Sequence, residues 1–486
     1  MNQAQGCMVG HLTQKRAFTA KSCPTISRRQ TLALGGSLLG GINLLRPSSA
    51  AAVATGAAHP AKAKSVIMLY LHGGAPTQDM FDMKPNAPVE VRGEFKPVAT
   101  NVPGIEICEL LPRMARWMHR AAVIRSVYHR SGCHNEIPSF TGYEPPPGNA
   151  QDPPDNLPPS MGSVCEYLKR PDDNRPAYVH LPGPLGYNGV GESGPGAGFL
   201  GRRYDPLMAA AAPAVDEGAD VKNRAHPPQV RGLPRLADSQ LTDGLTLERL
   251  ARRQSLLTGI EARQPDVAAE VGGVDDFKQR AFDLLASPAL RSCFDPALFD
   301  QRVRERYGNT LFGNSAFIAS RLVASGVRFV NVLWTWYNAA IAGLQDFGWD
   351  THEHNFATLG HFLPHLDLVY SSLMEDLDKS GLLDETLVVL TSDFGRTPVV
   401  NRTAGRDHWT HCYSTVLAGA GIAGGQVYGA SDKHAAVPID RPVRPADVCA
   451  TIYRCLGIDP DMPVHDRFAR PHKVAQGGEP VEALLA

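Results

Sequence analysis

No segment of this chain reaches the length of a membrane-spanning apolar run, no long block of one charge sign stands out, and no two cysteines have the Cys-x-x-Cys spacing. Lys and Arg number 48 against 49 Asp and Glu, for a net charge of −1. That balance argues against a nucleic-acid binder, which needs a basic patch or stripe to meet phosphates. Of nine cysteines, Cys7 and Cys23 lie in the first fifty residues, and seven remain at irregular spacings. An odd, unpatterned set is no disulfide framework and reads as small buried apolar residues. With 486 residues the chain can bury a large core without such staples.

Glycine and proline are plentiful. The stretch 143–155 is Pro-rich and 181–201 is Gly/Pro-rich, and both read as long loops. Residues 209–234 mix Ala, Pro and charge and read as a surface insertion. At the start, Ser27-Arg28-Arg29-Gln30 precedes a Gly-rich apolar run over 31–45 and then small residues over 48–54. Paired arginines, an apolar region and an Ala-rich cleavage zone read as a twin-arginine export signal. The apolar run falls short of the roughly 20 residues needed to cross a bilayer. The expected organisation is a signal peptide and linker over 1–54, one α/β domain over 64–470 and a C-terminal tail over 471–486.

The run 65–71 is apolar throughout and ends in His72-Gly73-Gly74. A strand covered on both faces reads this way. Further strands are expected at 122–125, 178–181, 327–333, 386–391 and 414–418. Helical patterns fall at 247–263, 277–285, 313–325, 359–379 and 446–456. Alternation of this kind predicts a largely parallel central sheet with helices on both faces, and ligands beyond the carboxyl ends of its strands.

The polar residues gather at those strand ends. Ser392-Asp393-Phe394-Gly395-Arg396 follows 386–391, Gly405-Arg406-Asp407-His408 precedes 414–418, and Asp350-Thr351-His352-Glu353-His354 follows 327–333. Carboxylate with imidazole is a ligand set for zinc, manganese or iron(II). His134, after 122–125, is open as a ligand, an acid/base group or a hydrogen-bonded loop residue.

Four ordered elements carry a family resemblance: Gly-Gly-x-Pro-x-x-Asp-x-Phe-Asp at 73–82, Gly-Trp-Asp-Thr-His at 348–352, Ser-Asp-Phe-Gly-Arg-Thr-Pro at 392–398 and Gly-Arg-Asp-His-Trp at 405–409. The chain resembles the domain-of-unknown-function 1501 family, bacterial proteins that commonly carry twin-arginine leaders and are grouped with the alkaline phosphatases and sulfatases. The resemblance spans about 64–470. It implies the alkaline-phosphatase/sulfatase fold, with Asp350, His352 or His354, Asp393 and His408 as metal ligands. Two departures stand out. Phe394 occupies a position where those enzymes usually have a histidine ligand, and the first strand ends in Leu71-His72 where they typically supply an aspartate. No Cys-x-Pro-x-Arg sulfatase signature falls in 131–142, and no nucleophile stands out; Ser131, Cys133 and Ser139 are candidates.

The resulting expectation is an exported hydrolase of a phosphate or sulfate ester, small-molecule or glycan. It would use divalent zinc, manganese, iron or calcium. Arg396 and Arg406 would bind the anionic group, each with a neighbouring-aspartate ion pair as the alternative, and His134 would protonate the leaving group. The rival is a non-catalytic exported binding protein on the same scaffold, without the second metal site. The oligomeric state is left open.

Overall fold

The structure, a computed structural model, describes residues 60–145, 154–170, 173, 175–184, 194–236 and 287–486. The leader motif at 27–30 and the helices expected at 247–263 and 277–285 lie outside the described residues. All of the described residues belong to the compact unit Thr55–Ala486.

Among the described residues, nine strands form the main sheet: β1 (Ser65–Leu71), β2 (Ala121–Val127), β3 (Tyr178–Leu181), β4 (Leu207–Ala210), β5 (Arg235–Leu236), β6 (Phe329–Trp334), β7 (Thr386–Ser392), β8 (Tyr413–Gly419) and β9 (Gln426–Tyr428). Their spatial order is β9-β2-β8-β7-β1-β6-β3-β4-β5. β1 pairs in parallel with β6 and β7, whereas β8 runs antiparallel to both β7 and β2, and β5 antiparallel to β4. The sheet is therefore largely parallel, as expected, with two reversed strands.

Alternation along β1 shows why its apolar run is continuous. Ile67, Leu69 and Leu71 enter one core, and Val66, Met68 and Tyr70 enter the other. The first core is closed by the helices Leu311–Ala324 and Asn355–Lys379, through Ile318, Leu322, Leu363 and Leu373 among others. Helices Met161–Tyr167 and Pro445–Cys455 close the second, through Val164, Ile452 and Tyr453. Thr310 caps the first of these helices, its hydroxyl accepting from the Gly313 N–H at 3.0 Å.

Two features differ from the expectation, and the 209–234 insertion lies largely at the surface as expected. The helix after His354 begins at Asn355, one turn before the apolar period starts, with His354 itself in the left-handed region at φ 54°. Residues 471–486 pack into the body: Pro471–Lys473 pairs with Pro463–His465, and Val474, Ala475 and Leu484 are fully buried. Their apolar side chains are too widely spaced to show a period. Within 209–234, Ala214 and Arg231 bridge as an antiparallel pair and Asp216 binds the Arg231 guanidinium at 2.9 Å, so this insertion is ordered.

Six of the described cysteines behave as small apolar residues, with Cys108, Cys165, Cys293, Cys412, Cys449 and Cys455 buried and free, whereas Cys133 is exposed. Among the described residues, no helix is long and apolar enough to cross a membrane.

Candidate metal centre

The carboxyl ends of β1, β6 and β7 lie side by side, and the segments after them meet. Reversed β8 starts at that same end, so the residues just before it join them. A two-residue ribbon pairs Gly395–Arg396 with His408–Trp409, setting Arg396 opposite His408. From this ribbon the Arg396 Nη2 donates to Asp350 Oδ1 at 2.5 Å, and His408 Nε2 lies 3.0 Å from the same oxygen. His134 reaches across from the loop after β2, its Nε2 3.5 Å from Asp350 Oδ2. His134, Asp350 and His408 thus offer three ligand atoms within 4.8 Å of one another. His134 adopts a left-handed φ of 51°, a conformation uncommon outside glycine and found at functional sites. Its ring meets the edges of Phe394 and Trp336, with centroids 5.4 and 6.0 Å away.

His352 flanks this group. Its Nε2 is 3.1 Å from Asp350 Oδ1 and 2.8 Å from His408 Nε2, and its Nδ1 lies 2.7 Å from Asp407 Oδ1. A carboxylate at Nδ1 selects the tautomer with the proton there and turns the Nε2 lone pair toward the cluster. Two imidazole nitrogens at 2.8 Å accommodate one proton or share one cation.

The charges respond accordingly. Burial alone would raise the Asp350 carboxyl, but hydrogen bonds with His134, His352 and His408 and the charge of Arg396 hold it well below the usual carboxylate range. The bond to Asp350 raises His352 above the ordinary imidazole value. Burial, with the nearby Arg396 and His134 charges, lowers His408 despite its bond to Asp350.

Two borderline imidazole nitrogens and one hard carboxylate oxygen form a mixed donor set. Bonds of about 2.0–2.2 Å place neighbouring ligand atoms roughly 3–3.5 Å apart, and the His408–Asp350 and His134–Asp350 separations of 3.0 and 3.5 Å match that for zinc, manganese or iron(II). Calcium, which takes six to eight oxygens, does not suit this set.

Other residues named from the sequence stand elsewhere. Asp393 is fully buried and turned to the first loop: Oδ1 accepts from Gly73 N–H at 3.0 Å, Gly74 N–H at 2.6 Å and the Ser392 hydroxyl at 2.9 Å. Gly74 has φ +81°, and a Cβ there would lie 2.2 Å from the Phe394 ring, so this turn requires glycine. Exposed His354 is held by its backbone, donating to the Thr403 carbonyl at 3.0 Å.

Arg396 and Arg406 are fully buried. Besides Asp350, Arg396 binds the carbonyls of Gly73, Gly74, Trp349 and Arg406. Arg406 forks onto both Asp79 oxygens at 2.8 and 2.7 Å and binds the carbonyls of Val91, Thr397 and Pro398. Both guanidinium groups are thus bonded to carboxylates and carbonyls of the chain itself. Ser131 donates to the Pro145 carbonyl and Ser139 to the Ser392 carbonyl, each at 3.0 Å.

Several partners escape a sequence reading. Asp407 is one, although its place beside His408 is a weak signal. Another is Asp79, which also accepts from Asn355 Nδ2 at 2.9 Å. The buried His72–Glu136 pair, 3.2 Å apart, is a third. Burial works against a charged His72, yet the Glu136 bond and the Asp393 charge raise it above its ordinary value. The Asp393 carboxyl is thus met by the N–H groups of Gly73 and Gly74, and Glu136 by the His72 ring.

Gly405 lies where the His352 backbone crosses the ribbon loop, and a Cβ on it would sit 1.9 Å from the His352 carbonyl oxygen. Gly405→Ala must displace the backbone that carries His352, Asp407 and His408. The expected outcome is a loss of about 1–3 kcal/mol in urea unfolding together with weakened metal retention. Unchanged stability and metal content would show that the loop is not held this tightly.

No curated protein matches this sequence. Similar solved structures include a protein in the alkaline phosphatase superfamily from Vibrio parahaemolyticus, at 11% identity, 88% of this chain and 73% of that chain, with a TM-score of 0.36. PsFucS1 sulfatase from Pseudoalteromonas sp. is similar at 14% identity over 86% of this chain and 73% of that one, with a TM-score of 0.38. Phosphonate monoester hydrolase SpPMH from Silicibacter pomeroyi is similar at 14% identity over 87% and 76%, with a TM-score of 0.36. The model of the family described as a protein of unknown function, DUF1501, matches residues 63–485, and the chain belongs to that family.

Proposed function

We propose that this chain is an exported, metal-dependent hydrolase of a phosphate or sulfate ester, with the ion held by His134, Asp350 and His408. The observation that carries the reading is the convergence of these three side chains, from three separate loops, at the carboxyl ends of the sheet. A divalent zinc, manganese or iron(II) ion held there would supply Lewis acidity toward the ester.

The chain's own residues do the rest. Arg396 fixes the Asp350 carboxylate and balances its charge in a buried setting. His352, with Nδ1 on Asp407 and its side chain 41% exposed, is placed to carry a proton to the leaving oxygen. That role passes to His352 because His134 is taken up by the cluster. Asp393 anchors the Gly73-Gly74 turn, and Arg406 is a structural clamp. With the Ser131 and Ser139 hydroxyls bonded to backbone carbonyls, water and the exposed Cys133 thiol remain as nucleophiles. Export rests on the twin-arginine motif at 27–30, with the twin-arginine machinery as partner.

The engagement of Asp393 by backbone N–H groups also favours the second reading, a non-catalytic binding protein with one metal. Turnover separates the two. Metal-loaded protein is expected to cleave p-nitrophenyl phosphate or p-nitrophenyl sulfate, and His352→Gln to lose about 10²–10⁴ of the rate while keeping its metal. No cleavage of either ester by the wild type would leave the binding protein. Full activity in His352→Gln would remove His352 from the chemistry.

A further inference from the structure

A cavity of about 180 Å³ opens beside the cluster, with Asp350 and His352 in its wall together with Arg224, Asp346, Phe347 and Glu353. It is smaller than the roughly 300–1,000 Å³ of sites for drug-sized ligands, which limits it to a single ring. Arg224 comes from the 209–234 insertion, and the Thr358 hydroxyl ties that segment to the long helix through the Arg224 carbonyl at 3.4 Å.

Two groups in this wall have unused capacity. Asp346 is only 4% exposed, and its carboxylate makes one hydrogen bond among the described residues, from the Gly348 N–H to Oδ1 at 2.8 Å. A carboxylate accepts several such bonds, and a buried one without them is costly. Burial raises this carboxyl to about 6, as expected of an under-satisfied acid. Arg224 lies over the Phe347 ring at 4.6 Å, with Nε toward Gln345 at 3.3 Å and Nη1 on Glu353 at 3.0 Å. Its Nη2 makes no hydrogen bond among the described residues.

A lone acceptor and a lone donor in one small cavity select for a group that both donates and accepts. A second anionic substituent would meet the Asp346 carboxyl, and an ammonium would face the Arg224 charge while finding Glu353 and Asp350 already paired with Arg224 and Arg396. A hydroxyl meets neither objection. We infer that this cavity is the subsite for one neutral, hydroxyl-bearing ring of the ester's alcohol, a sugar-sized group held by Asp346 and Arg224. The inference rests on the hydrolase reading for the word ester, but the binding itself can be measured alone.

The test is saturation-transfer NMR on metal-loaded protein with D-glucose, D-galactose and D-mannose as probes and D-glucuronate as the anionic control. At least one neutral hexose is expected to bind. Asp346→Asn and Arg224→Gln should each weaken that binding about tenfold or more, with metal content and melting temperature kept. Glucuronate should bind at least about tenfold more weakly than the best hexose. Failure of every hexose to bind, wild-type affinity in both variants, or equal affinity for glucuronate would overturn the inference. Arg224 is half exposed, so its variant reports even if Asp346→Asn fails to fold. Hexose binding without cleavage of either aryl ester would overturn the hydrolase reading and leave the subsite. Cleavage without hexose binding would do the reverse.

Discussion

Arg406→Met is expected to cost about 3–5 kcal/mol of folding stability, the typical price of breaking a buried ion pair from one side. The guanidinium has no exposed surface, and its partner Asp79 is 2% exposed. Removing Arg406 leaves a carboxylate whose only other side-chain donor among the described residues is Asn355. It also releases the carbonyls of Val91, Thr397 and Pro398. The pair links the helical turn after β1 to the ribbon that carries His408. Through Asn355 it continues to Thr351, whose hydroxyl lies 2.7 Å from Asn355 Oδ1. Urea unfolding of Arg406→Met, Asp79→Asn and the double variant would measure it. The double variant should lose less than the two singles summed, because no unpaired charge remains. Single variants within about 1 kcal/mol of the wild type would contradict the assignment.

Acid is expected to destabilise the fold steeply between pH 6.5 and 4. Burial pushes His129 down to about 4 and both His180 and His365 down to about 3. Each is neutral when folded, and each takes a proton below about 6.5 when unfolded. In that window the unfolded chain binds more protons, so stability rises with pH and is lost as pH falls. His129 alone accounts for a loss on the order of 3 kcal/mol by pH 4. Asp346 works the other way: raised to about 6, it binds a proton when folded before the unfolded carboxyl does near 3.9. For these four groups the net below pH 6 is an uptake of about two protons on unfolding (three imidazoles less one carboxyl), or roughly 2.7 kcal/mol per pH unit. Burial of His361 and His408 acts in the same direction. Urea unfolding at pH 7, 6 and 5 would show the slope, and His129→Gln should reduce it by about one proton. A flat profile would mean that these imidazoles are not held neutral.

The parallel sheet was legible because β1 and β7 are apolar on both faces, a pattern few other structures share. The reversal of β8 was not, since strand direction leaves no mark on a run such as 414–418. The short strands β4, β5 and β9 carry too few residues for a period. At the site, the sequence marked the segments around Asp350, His408 and His134 through polar residues following buried strands. It could not say what each side chain touches. Asp393 follows β7 just as a ligand would, yet its partners are the N–H groups of Gly73 and Gly74, which have no signature of their own. Arg406 reads equally as an anion fork or an ion pair until Asp79, 327 positions away, is placed against it. Such distant pairings are decided by packing.

The most direct test of the metal centre is elemental analysis of protein purified from its exported fraction without chelator, beside Asp350→Ala, His408→Ala and His352→Gln. One zinc, manganese or iron ion per chain is expected in the wild type and in His352→Gln, and none in Asp350→Ala or His408→Ala. A folded wild type that neither carries nor takes up a divalent ion, or an Asp350→Ala variant that retains it, would contradict the assignment.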